Sequence, residues 1–351
     1  MKIVVGLASF GMSGKIFHSP LLSSHEKYNL KRIVQRSGDD ARTLYPGAIV
    51  SRSIDDLLHD DEIDLIVVNT PDATHYEVAK KCLEAGKHVV VEKPMTLTVA
   101  EAEDLIAIGR RKEKVLTVFQ NRRWDGDFLT VQSVIRGGSL GRLVEFESHY
   151  DRYRSFIQAG TWKEKTSAGA GILYNLGSHM IDQAVVLFGM PEAVTAHLRI
   201  VRTGGEVDDW YDLRLHYNGL SVLLRASYLV KEHGPRYIVH GTDGSFIKYG
   251  LDPQEEELKA GKDPRTPGWG KEGKEWWGIL TVDRDGATKK HAVETIPGNY
   301  RAFYDGLSSC IAEGARPPVP PEQGANVIRI IEAARKSHLE RKTIELGRNR
   351  G

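Results

Sequence analysis

Lys93 is the residue whose type and position most directly indicate chemistry in this sequence of 351 residues. It stands in Glu92-Lys93-Pro94, at the end of an apolar run over residues 88–92 that predicts a buried strand. Ligands of parallel α/β sheets bind beyond the carboxyl ends of the strands, and an ammonium group there can donate to a substrate hydroxyl and favour the alkoxide. The competing interpretation is a solvated lysine at a strand end.

A glycine-containing turn follows the first predicted strand, at residues 9–14. Its sequence, S-F-G-M-S-G, matches the last two glycines of the dinucleotide fingerprint G-x-G-x-x-G, and Ser9 replaces the first. Gly11 would let a pyrophosphate approach the backbone, and Gly14 would let the next helix pack closely on the strand. A strand–turn–helix without a ligand is the alternative. The cofactor contacts predicted in this turn are Ser9, Phe10, Gly11, Met12 and Gly14.

The end of the second predicted strand distinguishes NAD from NADP, because a carboxylate there binds the ribose 2′-hydroxyl and an arginine accommodates a 2′-phosphate. This strand ends in Arg36 and Ser37, and the nearest carboxylates, Asp39 and Asp40, lie further along the chain. The guanidinium fork and the hydroxyl both donate hydrogen bonds to phosphate oxygens. The sequence therefore predicts NADP rather than NAD, with a surface arginine in a loop as the alternative.

Strand and helix signals alternate along the first 120 residues and must position these groups. The apolar runs are continuous, as expected for strands covered on both faces, and they cover residues 2–8, 30–35, 64–69, 88–92 and 115–119. Helix signals lie between them, at Ser53, over 74–85 ahead of Gly86, and at the capping-box pair Thr98 and Glu101. Pro20 predicts a short or bent helix after the glycine turn. Residues 1–120 are thus predicted to form a doubly wound parallel sheet, a Rossmann domain.

A different pattern begins near residue 121 and continues to residue 351. Apolar and polar residues alternate at 144–150 and 211–217, and further strand candidates lie at 194–201 and 222–228. This period of two is typical of an antiparallel sheet with one buried face, so a second, α+β domain is predicted. Residues 250–278 are rich in Gly, Pro and charge and predict a long surface excursion. The proline-rich segment 316–321 should separate one helix from a last helix at 322–338.

The composition excludes several classes of protein. Hydrophobic residues make up 40% and charged residues 27%, with a formal net charge of +1, so neither a disordered chain nor a basic nucleic-acid-binding protein is indicated. The two cysteines, Cys82 and Cys310, form no C-x-x-C, and no histidine spacing supports a metal site. The opening run is too short for a signal peptide, and no apolar stretch approaches the ~20 residues of a membrane span. A cytoplasmic protein without metal, membrane or nucleic-acid partners is expected.

Five segments in fixed order make the sequence resemble the glucose–fructose oxidoreductase, inositol dehydrogenase and MocA-like family. They are Val5-Gly6-Leu7, Asn69-Thr70-Pro71, Glu92-Lys93-Pro94, Asn121-Arg122-Arg123-Trp124-Asp125 and Leu176-Gly177-Ser178-His179. The resemblance covers essentially the whole chain. It extends to the bacterial NADP-dependent scyllo-inositol dehydrogenase branch through the segments 150–154 and 327–334. It implies hydride transfer between NADP(H) and a secondary alcohol or ketone of a cyclic polyol or sugar.

The resemblance also implies roles for individual residues. Lys93 matches the active-site lysine, and His179 matches the histidine that takes the hydroxyl proton, a task suited to a group that titrates near neutrality. The residues implied to lie along the cofactor are Asn69, Thr70, Pro71, His75, Glu92 and Lys93. The residues implied to contact the substrate are Lys93, Tyr153, Trp162, Asn175 and His179.

Asn175 departs from the family pattern, which usually has an aspartate four residues before the histidine. An asparagine keeps a hydrogen-bonding carbonyl but removes the charge that would stabilise an imidazolium. Asp182, one helical turn after His179, could compensate, although a helix-surface aspartate is the favoured interpretation. Our hypothesis is that Asn175 belongs to the catalytic group by contacting substrate, and that His179 remains the base.

Two other functions stay open at the level of sequence. One is a non-catalytic sensor that binds NADP, and the other is a glycoside hydrolase that keeps and recycles its nicotinamide. Retention of Lys93 and His179 favours the dehydrogenase. Association into a homodimer or homotetramer is expected, because an antiparallel sheet with one buried face leaves a broad surface that a partner subunit can cover. The chain's own helices could cover that face instead.

Overall fold

The computed structural model describes residues 2–347, apart from the side chain of Trp162, and the chain forms two compact units. The first unit contains the chain up to Trp124 together with Pro253–Trp269 and Asn299–Ala325. The second contains Asp125–Asp252, Gly270–Gly298 and the chain from Asn326 onward. The sequence pattern, which indicated a division at residue 120, gives no sign of the two later segments of the first unit.

The first unit contains a six-stranded parallel sheet with the strand order β3-β2-β1-β4-β5-β6. The strands are β1 Ile3–Leu7, β2 Tyr28–Val34, β3 Ile49–Ser51, β4 Leu65–Val68, β5 His88–Val91 and β6 Leu116–Val118. This confirms the predicted doubly wound parallel sheet. Strand β3 was not predicted, because it has only three residues and Ile49 in it is exposed.

Short helices connect these strands, and several of their ends follow the predicted signals. They are α1 Ser19–Ser23, α2 Asp40–Leu44, α3 Asp55–Leu58, α4 His75–Glu84 and α5 Val99–Arg111. The chain enters α1 through a π-helical turn, Gly14–His18, so the helix near Pro20 is short, as predicted. Helix α5 begins with the predicted reciprocal capping box between Thr98 and Glu101.

The second unit contains a nine-stranded, mostly antiparallel sheet with the order β14-β13-β12-β11-β7-β10-β9-β8-β15, in which only β7 and β10 pair in parallel. The strands are β7 Leu143–His149, β8 Ala193–Arg199, β9 Trp210–Tyr217, β10 Leu220–Ser227, β11 Tyr237–Gly241, β12 Gly244–Lys248, β13 Gly278–Arg284, β14 Ala287–Val293 and β15 Ile344–Glu345. Helices α6 Gly126–Arg136 and α7 Ser178–Phe188 belong to the same unit. The α+β prediction is confirmed.

Alternation is clearest in β9, where Tyr211, Leu213 and Leu215 are buried and Asp212 and Arg214 are not. Strands β13 and β14 show no such contrast because most of their side chains are polar or exposed, and they were not predicted. Among the described residues, no helix combines the length and apolar character needed to cross a membrane.

Residues 250–278 are exposed over much of their length, as predicted, but they are anchored at one buried residue that was not predicted. They include α8, Gln254–Lys259, and Gln254 is fully buried. Its carboxamide oxygen accepts from Trp269 Nε1 (3.1 Å) and Tyr300 N (2.7 Å), and its nitrogen donates to Trp124 O (3.0 Å). The prediction missed this anchor because Gly, Pro and charged neighbours obscured one buried amide.

Two helices flank the proline-rich segment at 316–321, as predicted. They are α9, Arg301–Glu313, and α10, Pro321–Glu340, which starts in the first unit and continues in the second. Phe303, Tyr304 and Leu307 of α9 are fully buried in the core of the first unit.

Candidate active-site residues in the two units

The glycine turn of the first unit leaves room for a ligand at one glycine and none for a side chain at the other. A Cβ atom on Gly14 would lie 2.5 Å from Ser9 O and 2.9 Å from Asn69 Nδ2, so only glycine fits without a backbone shift. A Cβ on Gly11 would have only Ser9 Oγ, at 3.6 Å, within contact range. Ser9 also closes the turn, since its hydroxyl accepts from Gly11 N (3.3 Å).

Asn69 connects this turn to the end of β4. Its Nδ2 donates to Ser9 O (2.8 Å), while its buried Oδ1 has no hydrogen-bond partner among the described residues. A buried acceptor without a donor, next to the open side of Gly11, fits a bound dinucleotide. Met12 is largely exposed, whereas Phe10 is buried edge-on against Tyr45, so a cofactor contact of the Phe10 ring stays a prediction.

Residues 69–71 follow β4 directly and are held through His75, the first residue of α4. The Thr74 hydroxyl donates to Pro71 O (2.7 Å) and lies 2.8 Å from the Thr70 hydroxyl. His75 is fully buried; its Nδ1 lies 2.8 Å from Pro94 O and its Nε2 lies 2.9 Å from Thr70 O. The ring therefore faces two backbone carbonyls, which makes it a support for both strand ends.

Glu92 and Lys93 occupy the carboxyl end of β5, where the sequence placed them. Oε1 of Glu92 lies 3.0 Å from Nε2 of His18, and Oε2 accepts from Lys93 N (3.0 Å). Burial alone would raise the pKa of Glu92, but the His18 hydrogen bond and the positive charges of His18, Lys93 and His75 outweigh it and lower the pKa below its ordinary value. His18 Nδ1 in turn lies 2.6 Å from the Tyr304 hydroxyl.

The loop after β2 is braced by Arg52, which sequence reasoning missed. Its guanidinium donates to Gln35 O (2.8 Å), Gly38 O (2.6 Å) and Asp39 Oδ1 (2.7 Å). Both Arg36 and Ser37 are exposed on this loop. Asp40 pairs with Lys15, which lowers the pKa of that carboxyl. Each of the two carboxylates nearest the strand end therefore already has a cationic partner.

In the second unit, His179 and Asn175 lie where a π-helical turn, Leu173–Gly177, runs into α7. His179 is buried and Asn175 is half-buried. Asn175 Nδ2 lies 3.4 Å from the Tyr228 hydroxyl, and Asn175 O accepts from the Ser178 hydroxyl (3.1 Å). The turn thus keeps both predicted residues on neighbouring positions of one continuous helical segment.

Helix α7 is enclosed by the second unit, since all residues from 178 to 185 are buried. Gln183, one turn after His179, accepts from the Tyr237 hydroxyl (2.9 Å) and from Arg236 Nη2 (3.3 Å). Asp182 is only 2% exposed. The interpretation of Asp182 as a helix-surface aspartate is therefore wrong. The residues around it on α7 are mostly apolar, and a helix that is apolar on nearly every side is buried in the protein interior.

The predicted substrate contacts at 153 and 162 lie in the long segment between β7 and α7. Tyr153 is 48% exposed, forms a single bridge to Leu229, and has the Lys231 ammonium 5.1 Å from its ring centre. Trp162 begins the short turn Trp162–Glu164, and its side chain lies outside the described part of the structure. Both assignments stay predictions.

Sequence reasoning overlooked His18, Arg52 and Tyr228, each of which contacts a predicted site residue or its loop, and Tyr304, which contacts His18. One signal was present for His18, which falls four residues after Gly14 in the same helical run. The others come from distant segments and leave no local pattern. Within residues 2–347, no group of three or more His, Cys, Asp or Glu side chains is placed to hold a metal ion.

Comparison with known proteins matches both parts of the chain to one family. The family model described as "Oxidoreductase family, NAD-binding Rossmann fold" matches residues 3–120, and the one described as "Oxidoreductase family, C-terminal alpha/beta domain" matches residues 132–346.

Individual relatives cover nearly the full length. The scyllo-inositol 2-dehydrogenase (NADP(+)) IolW of Bacillus subtilis is 43% identical over 344 residues, 98% of this chain and 96% of the relative. The oxidoreductase YdgJ of Escherichia coli is 39% identical over 98% of both chains. A solved structure of the oxidoreductase YvaA of Bacillus subtilis has a TM-score of 0.96 at 43% identity, and the match covers 98% of both chains. A structure of an oxidoreductase from Bacteroides fragilis has a TM-score of 0.91 at 47% identity, and the match covers 99% of this chain and 100% of that one.

Proposed function

We propose a function that starts from the family: this chain belongs to the glucose–fructose oxidoreductase, inositol dehydrogenase and MocA-like family. It interconverts a secondary alcohol of an inositol-type cyclic polyol and the corresponding ketone, with NADP(H) as cofactor. The protein is an enzyme, an NAD(P)-dependent dehydrogenase or reductase of that family. When bound, the nicotinamide ring accepts or supplies the hydride. Side chains of this chain bind the substrate, stabilise the developing charge and transfer the proton.

The observation that carries the proposal is the position of Lys93 at the carboxyl end of β5, with its backbone N–H bonded to the buried Glu92 carboxylate. In a dinucleotide-binding sheet this edge is where the ligand lies. An ammonium group there stabilises negative charge as the substrate hydroxyl loses its proton. Lys93 is assigned that role.

Proton transfer is assigned to His179. A histidine near its ordinary titration range both accepts the hydroxyl proton during oxidation and returns it during reduction. Asn175 is assigned to hold a substrate hydroxyl, since its carboxamide both donates and accepts hydrogen bonds. The buried Asp182 lies one turn from His179 on α7, where a carboxylate stabilises the imidazolium.

The preference for NADP is supported by the loop after β2. Arg36 is exposed there, and the Arg52 contacts fix the backbone of residues 35–39 before any ligand arrives. A carboxylate free to bind a 2′-hydroxyl would favour NAD, but Asp39 and Asp40 are paired with Arg52 and Lys15. The guanidinium of Arg36 and the hydroxyl of Ser37 would hold the 2′-phosphate.

An inositol-type substrate is supported by the relatives. Two that match this chain are named scyllo-inositol 2-dehydrogenase (NADP(+)), one at 43% identity over nearly the full length and one at 26% over 230 residues. The exposed Tyr153 and the half-buried Asn175 offer the kind of hydrogen-bonding groups that hydroxyl recognition uses.

The test is a spectrophotometric assay of the purified protein with scyllo-inositol, myo-inositol and glucose, first with NADP and then with NAD. We expect turnover on an inositol, with kcat/KM for NADP at least about tenfold above that for NAD. Turnover with NAD alone would overturn the NADP assignment. Absence of turnover together with NADP binding would overturn the dehydrogenase and favour a sensor. Release of a sugar without net nicotinamide change would favour a hydrolase.

A further inference from the structure

Lys93 is flanked by two residues that are each held by a buried histidine. Before it, the Glu92 carboxylate meets Nε2 of His18 at 3.0 Å. After it, the Pro94 carbonyl meets Nδ1 of His75 at 2.8 Å. Both rings are fully buried, and they come from different elements, the π-helical turn Gly14–His18 and the first turn of α4.

Donor and acceptor chemistry determines the direction of these bonds. A carboxylate and a carbonyl oxygen only accept, so His18 donates through Nε2 to Glu92. His75 faces two acceptors, and the tautomer with its proton on Nδ1 donates to Pro94 O, next to Lys93. The second nitrogen of each ring contacts another part of the first unit. For His18 it is the Tyr304 hydroxyl at 2.6 Å, and for His75 it is the Thr70 carbonyl at 2.9 Å.

We propose that His18 and His75 are positioning residues for Lys93, fixing the segment on either side of it so that its ammonium group projects from a backbone held at both ends. The inference rests on the proposed role of Lys93. Ionisable groups that contact the His18 ring include Glu92 and Tyr304, and Tyr304 stays a neutral phenol because burial raises its pKa. A lysine on an unrestrained strand end would sample many positions, and misplacement by about 1 Å can lower a rate ~100-fold.

The two nitrogens of each ring can be replaced separately. The side-chain amide of Asn reaches the place of imidazole Nδ1, and that of Gln reaches the place of Nε2. His18→Gln therefore keeps a donor for Glu92 and His18→Asn does not. At residue 75 the order is reversed, because His75→Asn keeps a donor for Pro94 and His75→Gln does not.

The experiment compares kcat, KM and melting temperature for these four variants. We expect kcat to fall about tenfold or more in His18→Asn and His75→Gln, and to stay within about twofold of the wild type in His18→Gln and His75→Asn. In His18→Asn and His75→Gln the fall in kcat should exceed any change in KM for NADP. A purely structural role would not give opposite preferences at the two sites, so equal losses with Asn and Gln at both would overturn the proposal.

His25 supplies a matched control in the same unit. It is also buried, and its Nε2 lies 2.9 Å from Asp305 Oδ1. His25→Asn and His25→Gln remove a buried imidazole whose Nε2 partner is Asp305 rather than the segment that carries Lys93, so they should lower the melting temperature without changing kcat. A fall in kcat comparable to that of His75→Gln would overturn the proposal by showing that any buried histidine matters.

A readout without turnover separates this inference from the proposed function. The rate at which a small acylating reagent modifies the Lys93 amine, followed by peptide mass spectrometry, needs neither substrate nor cofactor. We expect several-fold changes in His18→Asn and His75→Gln only. Identical rates in all variants would overturn the positioning role. A wild type inactive on every polyol would instead reject the proposed substrate while the acylation pattern still decided the roles of the two histidines.

Discussion

The two units hold their candidate residues in different ways. In the first, side chains contact the backbone itself, with the Glu92 carboxylate at Lys93 N and the two ring nitrogens of His75 at Pro94 O and Thr70 O. In the second, the support passes through side chains, with Gln183 holding α7 and Tyr228 contacting Asn175. The contrast teaches that a strand-end site can be shaped by contacts to its backbone, whereas the site on α7 depends on contacts to its side chains and on the helical turn that leads into it.

One feature is common to both units. In each, the chain reaches a helix near the candidate residues through a π-helical turn, Gly14–His18 in the first and Leu173–Gly177 in the second. Such turns add one residue to the helical repeat and are frequent at functional sites. They place His18 and Asn175 differently from what a regular α-helix would give.

The largest effects should come from the two assigned chemical groups, one in each unit. Lys93→Met and His179→Asn should each lower kcat/KM about 10²–10⁴-fold, because each removes a group that handles the developing charge or the proton. NADP titration should show binding retained. Lys80→Met and His216→Asn, which remove a lysine and a histidine with partners elsewhere, are the controls. Near-normal turnover in Lys93→Met or in His179→Asn would show that the substituted residue does not have the chemical role assigned to it.

The glycine turn tests how rigid the first unit is. Gly14→Ala should lower the free energy of unfolding by about 1–3 kcal/mol, because its methyl group would meet the Ser9 carbonyl. Gly11→Ala, with open space beside it, should change stability by less than about 0.5 kcal/mol yet weaken NADP binding. Urea denaturation and a fluorescence titration measure the two quantities. Equal loss of stability in both variants would contradict the close packing described for Gly14.

Glu92 should make the free energy of unfolding of the first unit depend on pH. Because its pKa is lowered on folding, the stability from its carboxylate is present above the unfolded-state pKa and is lost as the pH falls through the folded-state pKa. Glu92→Gln should therefore lower the free energy of unfolding by about 1–3 kcal/mol at neutral pH. The difference from the wild type should begin to narrow as the pH falls below the unfolded-state pKa of about 4.3 and should close as the pH passes the lower folded-state pKa. Urea denaturation across this range is the measurement, and a gap independent of pH would contradict the assignment.

The loop after β2 should show a moderate effect confined to one cofactor. Arg36→Ala should raise KM for NADP about tenfold by removing the phosphate partner, with little change in KM for NAD. Arg42→Ala removes an equally exposed arginine six residues along the chain and serves as the control. Initial rates measured with NADP and with NAD give the two KM values. A parallel rise in both KM values would indicate a damaged loop rather than a lost phosphate contact.

The smallest effect is expected at Asn175 in the second unit. Asn175→Asp restores the charge typical of the family but should change kcat by no more than about tenfold, because His179 already has a carboxylate one turn away on α7. Steady-state kinetics on the preferred inositol provides the measurement. A gain of several orders of magnitude would show that the natural protein lacks a catalytic carboxylate at this position. It would also refute the substrate role given to the asparagine.

Local patterns predicted most of what depends on neighbours in sequence. The parallel strands, the capping box at Thr98 and the close packing of Gly14 all follow from short-range rules. What could not be predicted depends on partners far along the chain. Arg52 braces the loop of Arg36, and Tyr304 reaches His18 across 286 residues of sequence. Burial of Gln254 and Asp182 was missed for the same reason, since solvent exclusion is a property of the assembled unit.

Subunit association and the domain boundary at residue 120 stay predictions. Analytical ultracentrifugation would distinguish a homodimer or homotetramer from a monomer.

The division of the chain between its units has a consequence for synthesis. The chain passes from one unit to the other after Trp124, Asp252, Trp269, Gly298 and Ala325. The core of the first unit includes Phe303, Tyr304 and Leu307 of α9. On the ribosome, the parallel sheet can form early, but its apolar surface is covered by those residues only after most of the chain has emerged. An N-terminal fragment ending at residue 120 would therefore expose that apolar surface and should bind chaperones.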